Sequence, residues 1–194
     1  MNITGGLPFT QNKLEVLLEI YAEGEDYLRN LEKKTSINPS LLHRILRAFV
    51  QAQMLKVQQK GKEVYYSFSE GDTPFFTCFL ERYYRDKIVY AQEPLRVIIK
   101  LLESNKDLSS FCERVYLFGS FVSGGVRKES DIDMLFVSRQ RVKIIQWCRE
   151  ASVLTGRTIN PLIYTPKQFD RDLQQREALL SSIVQKIKNR VILV

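Results

Sequence analysis

The chain is short of several things. None of its apolar runs approaches the roughly 20 residues that a helix needs to span a membrane. No basic stretch followed by a hydrophobic one stands at its start, so no secretion signal is expected. His43 is the only histidine, and the three cysteines (Cys78, Cys112, Cys148) have no paired spacing. That excludes a disulfide framework and the usual zinc motifs. The cysteines read as buried free thiols on apolar helices, in a cytoplasmic protein. Internal repeats and low-complexity tracts are missing too. With 194 residues, 44% of them hydrophobic, the chain is neither disordered nor fibrous and can bury one good core or two small ones.

Charge is present in excess of one sign. The net charge of +7 is uneven, with 14 Lys/Arg against 13 Asp/Glu in residues 1–105 and 15 against 9 in residues 106–194. The basic excess therefore lies in the second half, as expected of a domain that handles phosphates.

That half is organised around Val115-Tyr-Leu-Phe-Gly119-Ser120 and, after a loop containing Gly124-Gly125, Ser130-Asp131-Ile132-Asp133-Met-Leu-Phe-Val137. Both apolar runs read as buried strands. Residues i and i+2 of a strand face one way, so Asp131 and Asp133 present two carboxylates on one side and Ile132 points to the other. Carboxylates that close repel each other unless a cation sits between them, and magnesium bound by one or two carboxylates completes its shell with water and substrate phosphates. Glycine at 119 lets backbone approach a ligand closely, and amides at the start of a following helix would face an anion. A nucleoside triphosphate site is the expectation.

Leu117-Phe118-Gly119-Ser120-Phe121, Gly124 and Ser130-Asp131-Ile132-Asp133 resemble the signature of the minimal nucleotidyltransferase branch of the DNA polymerase β-like superfamily. The resemblance implies that Gly119 and Ser120 hold nucleotide phosphates and that Asp131 and Asp133 bind Mg2+ and are the catalytic carboxylates. The ligand would be an NTP, ATP for preference. Relatives carry a third carboxylate on the strand after the next helix; the matching strand is 157–164, and the matching residue is Asn160. An amide has no negative charge and no useful basicity. Asp170 and Asp172 would substitute only if their helix folded back. Ser123 stands where many relatives have a basic loop residue, a charge that Arg127 and Lys128 would supply.

In the first half, helices are expected over 11–21, 27–34 and 39–53, the third capped by Asn38 with Pro39 at its first position. Strand-like runs 54–57 and 64–68 join across Lys60-Gly61-Lys62 as a hairpin. Three helices and a two-stranded wing over about residues 10–70 resemble the winged helix-turn-helix family, in pattern and without a diagnostic motif. The resemblance implies DNA contact through Ser40, His43, Arg44 and Arg47 on the third helix and Lys60 and Lys62 on the wing. Gly71-Asp72-Thr73-Pro74 is a candidate boundary. An aromatic stripe (Phe75, Phe76, Phe79, Leu80, Tyr83, Tyr84) must then cover either the winged domain or a second subunit, and a homodimer would suit a DNA binder.

Beyond it come a helix opened by Pro94; a helix over 141–154 with Val142, Ile145, Cys148 and Val153 inward and Trp147 at its edge; an edge strand carrying Pro161; helices over 166–173 and 179–188; and a terminal strand or tail from Val191. The expected fold class is α+β: a winged helix-turn-helix domain (1–72), a connecting or dimerisation helix (73–93) and a small nucleotidyltransferase α/β domain with a mixed sheet (94–194). Three functions fit: a nucleotidyltransferase transferring NMP to a hydroxyl acceptor; a transcriptional regulator with a degenerate nucleotide-binding domain; and an antitoxin paired with a HEPN-type ribonuclease toxin. The partners would be nucleotide and double-stranded DNA, with no membrane.

Overall fold

Apolar residues at helical spacing resolve into α1 (Gln11–Glu23), α2 (Leu28–Thr35) and α3 (Pro39–Gln51). The structure, a computed structural model, describes residues 9–69, 73–104, 110–185 and 189–193. The start Met1–Pro8, the Gly71-Asp72 part of the expected boundary, residues 186–188 of the expected last helix and Val194 lie outside the described residues. The chain divides into two compact units between Leu80 and Glu81.

In the first unit Asn38 accepts a bond from the Ser40 amide and Pro39 opens α3, as the local chemistry dictates. Strands β2 (Leu55–Lys60) and β3 (Glu63–Phe68) form the expected hairpin. A further strand, β1 (Glu25–Tyr27), separates α1 from α2 and pairs antiparallel with β3, giving the order β1-β3-β2. Sequence reading missed it because three residues, two of them acidic, carry no apolar alternation. Val16, Leu17, Ile20, Leu31, Leu42, Leu46 and Phe49 are fully buried together, and Phe76 and Leu80 of α4 (Thr73–Tyr90) pack on this core. That part of the aromatic stripe covers the first unit's own core.

Two carboxylates are buried among the described residues here, Glu19 and, more deeply, Asp26, which is 2% exposed. It accepts bonds from the Tyr27 amide at 2.8 Å, from Asn30 at 2.8 and 3.0 Å, and from Lys34 at 2.9 Å. Burial opposes the charge on Lys34, but bonds to Asp26 and Glu23 outweigh it and raise the Lys34 pKa.

The second unit is a four-stranded mixed sheet of order β6-β5-β4-β7. Its strands are β4 (Cys112–Phe118), β5 (Ile132–Ser138), β6 (Ile159–Tyr164) and β7 (Arg190–Ile192). β5 runs parallel to β6, joined by helix α7 (Arg141–Thr155), whereas β4 is antiparallel to both β5 and β7. The two central strands are buried on both faces, which is why their sequences read as unbroken apolar runs. One face carries Tyr116, Leu135 and Val137 and packs on Phe169 of α8 (Pro166–Gln174) and on Leu180 and Ile183 of α9 (Ala178–Val184). On the other face Phe136 meets Trp147 of α7 edge to face, centroids 5.8 Å apart. Leu95, Ile98, Ile99 and Leu102 are the buried side of α5 (Glu93–Ser104). Pro161 does lie on an edge strand, where its missing N–H costs the ladder nothing.

Two readings are corrected. The inward stripe of α7 is Ile144, Trp147, Cys148 and Ala151, with Trp147 buried; Val142 and Val153 are 79% and 82% exposed. Both stripes have helical spacing, but the sheet accepts the one that carries the large Trp147 ring. Cys78 is exposed rather than buried, and Cys112 lies on strand β4 rather than on a helix.

Candidate functional site

The strand register fixes the site. Asp133 on β5 stands opposite Asn160 on β6 and Phe118 on β4, and Phe118 stands opposite Arg190 on β7. Partners across a ladder share a face, so these four form one row on the side that α8 and α9 cover further along. Asp131 sits just before β5 begins, two residues from Asp133. The two carboxylates converge: the Asn160 amide nitrogen donates to Asp131 Oδ2 at 3.3 Å and to Asp133 Oδ1 at 3.4 Å. Asp131 and Asn160 are exposed and Asp133 is half-buried, so the cluster opens to solvent.

Gly119 follows β4 with φ +73° and ψ −147°, a region essentially closed to other residues. A Cβ there would collide with Asp133 Oδ2. Both reasons demand glycine, and the second places the Gly-Ser turn directly against the carboxylate. Half-buried Ser120 opens α6 (Ser120–Ser123), a single turn that is shorter than the helix the sequence suggested. Its backbone is held from α4 and from the link that follows it: Tyr84 of α4 donates to the Val122 carbonyl at 3.5 Å and Gln92, just before α5, to that of Phe121 at 3.2 Å.

The loop that leads into Asp131 is also pinned. The Ser130 hydroxyl accepts from the Arg127 amide at 2.7 Å. Arg157, in the turn after α7, donates one guanidinium nitrogen to the carbonyls of Arg127 and Ser130 at 3.3 Å and to that of Lys128. Sequence reasoning missed this clamp; its only local signal was a basic residue directly after the helix-ending Gly156. The Arg127 side chain is exposed, beside a cavity of about 400 Å³ lined by Arg127, Lys128, Glu129 and Ser130.

Neither Asp170 nor Asp172 completes a metal set: no cluster of three or more His, Cys, Asp or Glu forms among the described residues. Asp172 accepts instead from Arg171 at 2.8 Å. The donors present fit a divalent cation of the magnesium type all the same. Two carboxylates aim at one point beside an open glycine turn, and such an ion is commonly held by one or two carboxylates with the rest of its shell from water and phosphates.

In the first unit Ser40, His43, Arg44 and Arg47 are exposed on α3, opposite its buried Leu42, Ile45, Leu46 and Phe49. Lys62 is exposed at the hairpin turn. Lys60 is not a free cation, because it pairs with Glu25 and lies 5.1 Å from the Tyr65 ring centroid.

The family model described as Nucleotidyltransferase domain matches residues 98–193. No curated protein sequence matches the chain. Among solved structures, AF1382 from Archaeoglobus fulgidus is similar at 18% identity over 50% of this chain and 93% of its own, with a TM-score of 0.33. A toxin–antitoxin complex with AMP-PNP is similar at 19% identity over 51% and 71%, with a TM-score of 0.36. Sso10a-2, a DNA-binding protein from Sulfolobus solfataricus, is similar at 11% identity over 53% and 95%, with a TM-score of 0.32. At such TM-scores these likenesses add nothing to the geometry. Among the described residues no helix is long and apolar enough to cross a membrane.

Proposed function

We propose that the second unit binds a nucleoside triphosphate, ATP for preference, together with Mg2+, and transfers its NMP moiety to a hydroxyl acceptor at a low rate. The observation that carries this reading is the convergence of Asp131 and Asp133 on one point, with Asp133 packed against a turn where only glycine fits. Gly119 and Ser120 would lie along the phosphates, and Arg127 and Lys128 would add positive charge from the loop. Mg2+ held by the two aspartates would offset the charge that builds on the transferring phosphoryl group and on the departing pyrophosphate. The acceptor hydroxyl, however, must lose its proton without help from position 160, because an amide is no base. Slow transfer follows from that residue alone.

The Asn160 amide lying between the carboxylates also favours a second reading, in which the unit is a nucleotide sensor and regulation is the output. The first unit would then read DNA. Its three helices and hairpin around one core support a winged helix-turn-helix, with α3 as recognition helix and Arg44 and Arg47 on its open face.

Incubation with α-labelled ATP and Mg2+, with candidate hydroxyl acceptors, separates the two. On the enzyme reading label is transferred, Asp131→Ala abolishes it, and Asn160→Asp raises the rate by about 10²-fold or more. Nucleotide binding with no label in either the wild type or Asn160→Asp supports the sensor. Absence of ATP binding at millimolar concentration sinks both.

A further inference from the structure

The amide nitrogen of Asn160 stands where two carboxylates would otherwise share a cation. It donates to Asp131 Oδ2 at 3.3 Å and to Asp133 Oδ1 at 3.4 Å, and so relieves their mutual repulsion without carrying charge. We infer that Asn160 is a neutral plug that makes divalent-cation uptake at Asp131 and Asp133 depend on bound triphosphate; this deepens the nucleotide reading above and rests on it.

The physical case is a competition. A cation arriving alone finds two carboxylates already bridged by one amide nitrogen, and it must displace that amide while gaining only two protein ligands. A cation arriving with a triphosphate brings phosphate oxygens with it. Both amide bonds are longer than the usual range for N–H···O contacts, so they are weak enough to yield to that combination. A carboxylate at the same place would do the opposite. It would add a third negative ligand and allow a cation to bind before any nucleotide. Asn160 is exposed, so its replacement removes no buried packing.

The test uses the full chain and Mn2+ as probe, its binding measured by electron paramagnetic resonance and by calorimetry, with and without a non-hydrolysable triphosphate analogue. Wild-type protein is expected to bind Mn2+ at least tenfold more tightly with the analogue than without it. Asn160→Asp is expected to bind Mn2+ alone at least tenfold more tightly than wild type. The decisive variant is Asn160→Ala, which removes the plug and adds no ligand; it is expected to bind Mn2+ alone at least threefold more tightly than wild type. Equal binding by Asn160→Ala would show that the amide blocks nothing, and weaker binding that the side chain is a ligand through its oxygen; either would overturn the plug while leaving the nucleotide site standing. Failure of all three proteins to bind Mn2+ with the analogue overturns the nucleotide reading and this inference with it.

Discussion

At the scale of single residues, burial and close approach decide what side chains do. Burial pushes the Cys112 thiol up to about 11 and the Cys148 thiol up to about 12, because a thiolate would be poorly solvated there. Both are therefore protonated and unreactive at neutral pH, whereas Cys78 is exposed. A thiol reagent at pH 8 is expected to modify Cys78 in the native protein and the other two only after denaturant is added, read by mass spectrometry. The raised values also set a linkage. An unfolded chain releases these protons near the ordinary thiol value of 9.0, well before the folded one does. The stability they contribute is complete below that value and is lost as pH climbs toward about 11 and 12. Chemical melts between pH 8 and pH 11 should show the decline, and Cys148→Ser should flatten part of it.

Among the elements, α7 shows where a sequence pattern competes with packing. Its residues offer two apolar stripes, and only the one with Ile144, Trp147, Cys148 and Ala151 reaches the sheet. Ile144→Ala is expected to lower stability by about 2–5 kcal/mol through the cavity it leaves. Val142→Ala, on the solvent side, should change it by no more than about 0.5 kcal/mol. Equilibrium denaturation of the two variants checks the assignment, and the reverse ranking would place the other stripe inside. The same scale explains β1. Glu25 and Asp26 announce no strand, yet the open edge of β3 takes them, and Asp26 is then buried against Asn30 and Lys34. Removing that carboxylate leaves the part-buried Asn30 amide and Tyr27 N–H without their acceptor while Lys34 keeps Glu23, so Asp26→Ala is expected to cost about 1–3 kcal/mol in the same assay.

For the whole molecule the prediction concerns independence of its two parts. The proposed DNA face lies within residues 1–80 and the proposed nucleotide site within 81–194. Duplex affinity should fall linearly with log salt, and Arg44→Ala and Lys62→Ala should each reduce the slope by about 1. Lys60→Ala should change it less, since Glu25 already engages that charge. Asp131→Ala should leave the slope unaltered in fluorescence anisotropy titrations. A loss of duplex binding in Asp131→Ala would show that the carboxylate site and the DNA face act together.

The chain order alone determined the helices from α1 to α3, the hairpin, the two buried strands, the Gly119-Ser120 turn and the Asp131 and Asp133 pair. Those are statements about period, caps and turns, which neighbouring residues decide among themselves. It also placed Asn160 at the position of the missing carboxylate, through the resemblance. Register and proximity were decided elsewhere: that the Asn160 amide falls between the aspartates, that Gly119 has no room for a Cβ because Asp133 stands there, and that Arg157 grips the loop before Asp131. Each of those joins residues from separate strands or turns, and no local periodicity reports which backbone edges will pair. Contacts made across a sheet belong to the folded chain, because only the pairing of β4, β5 and β6 brings their donors and acceptors within reach.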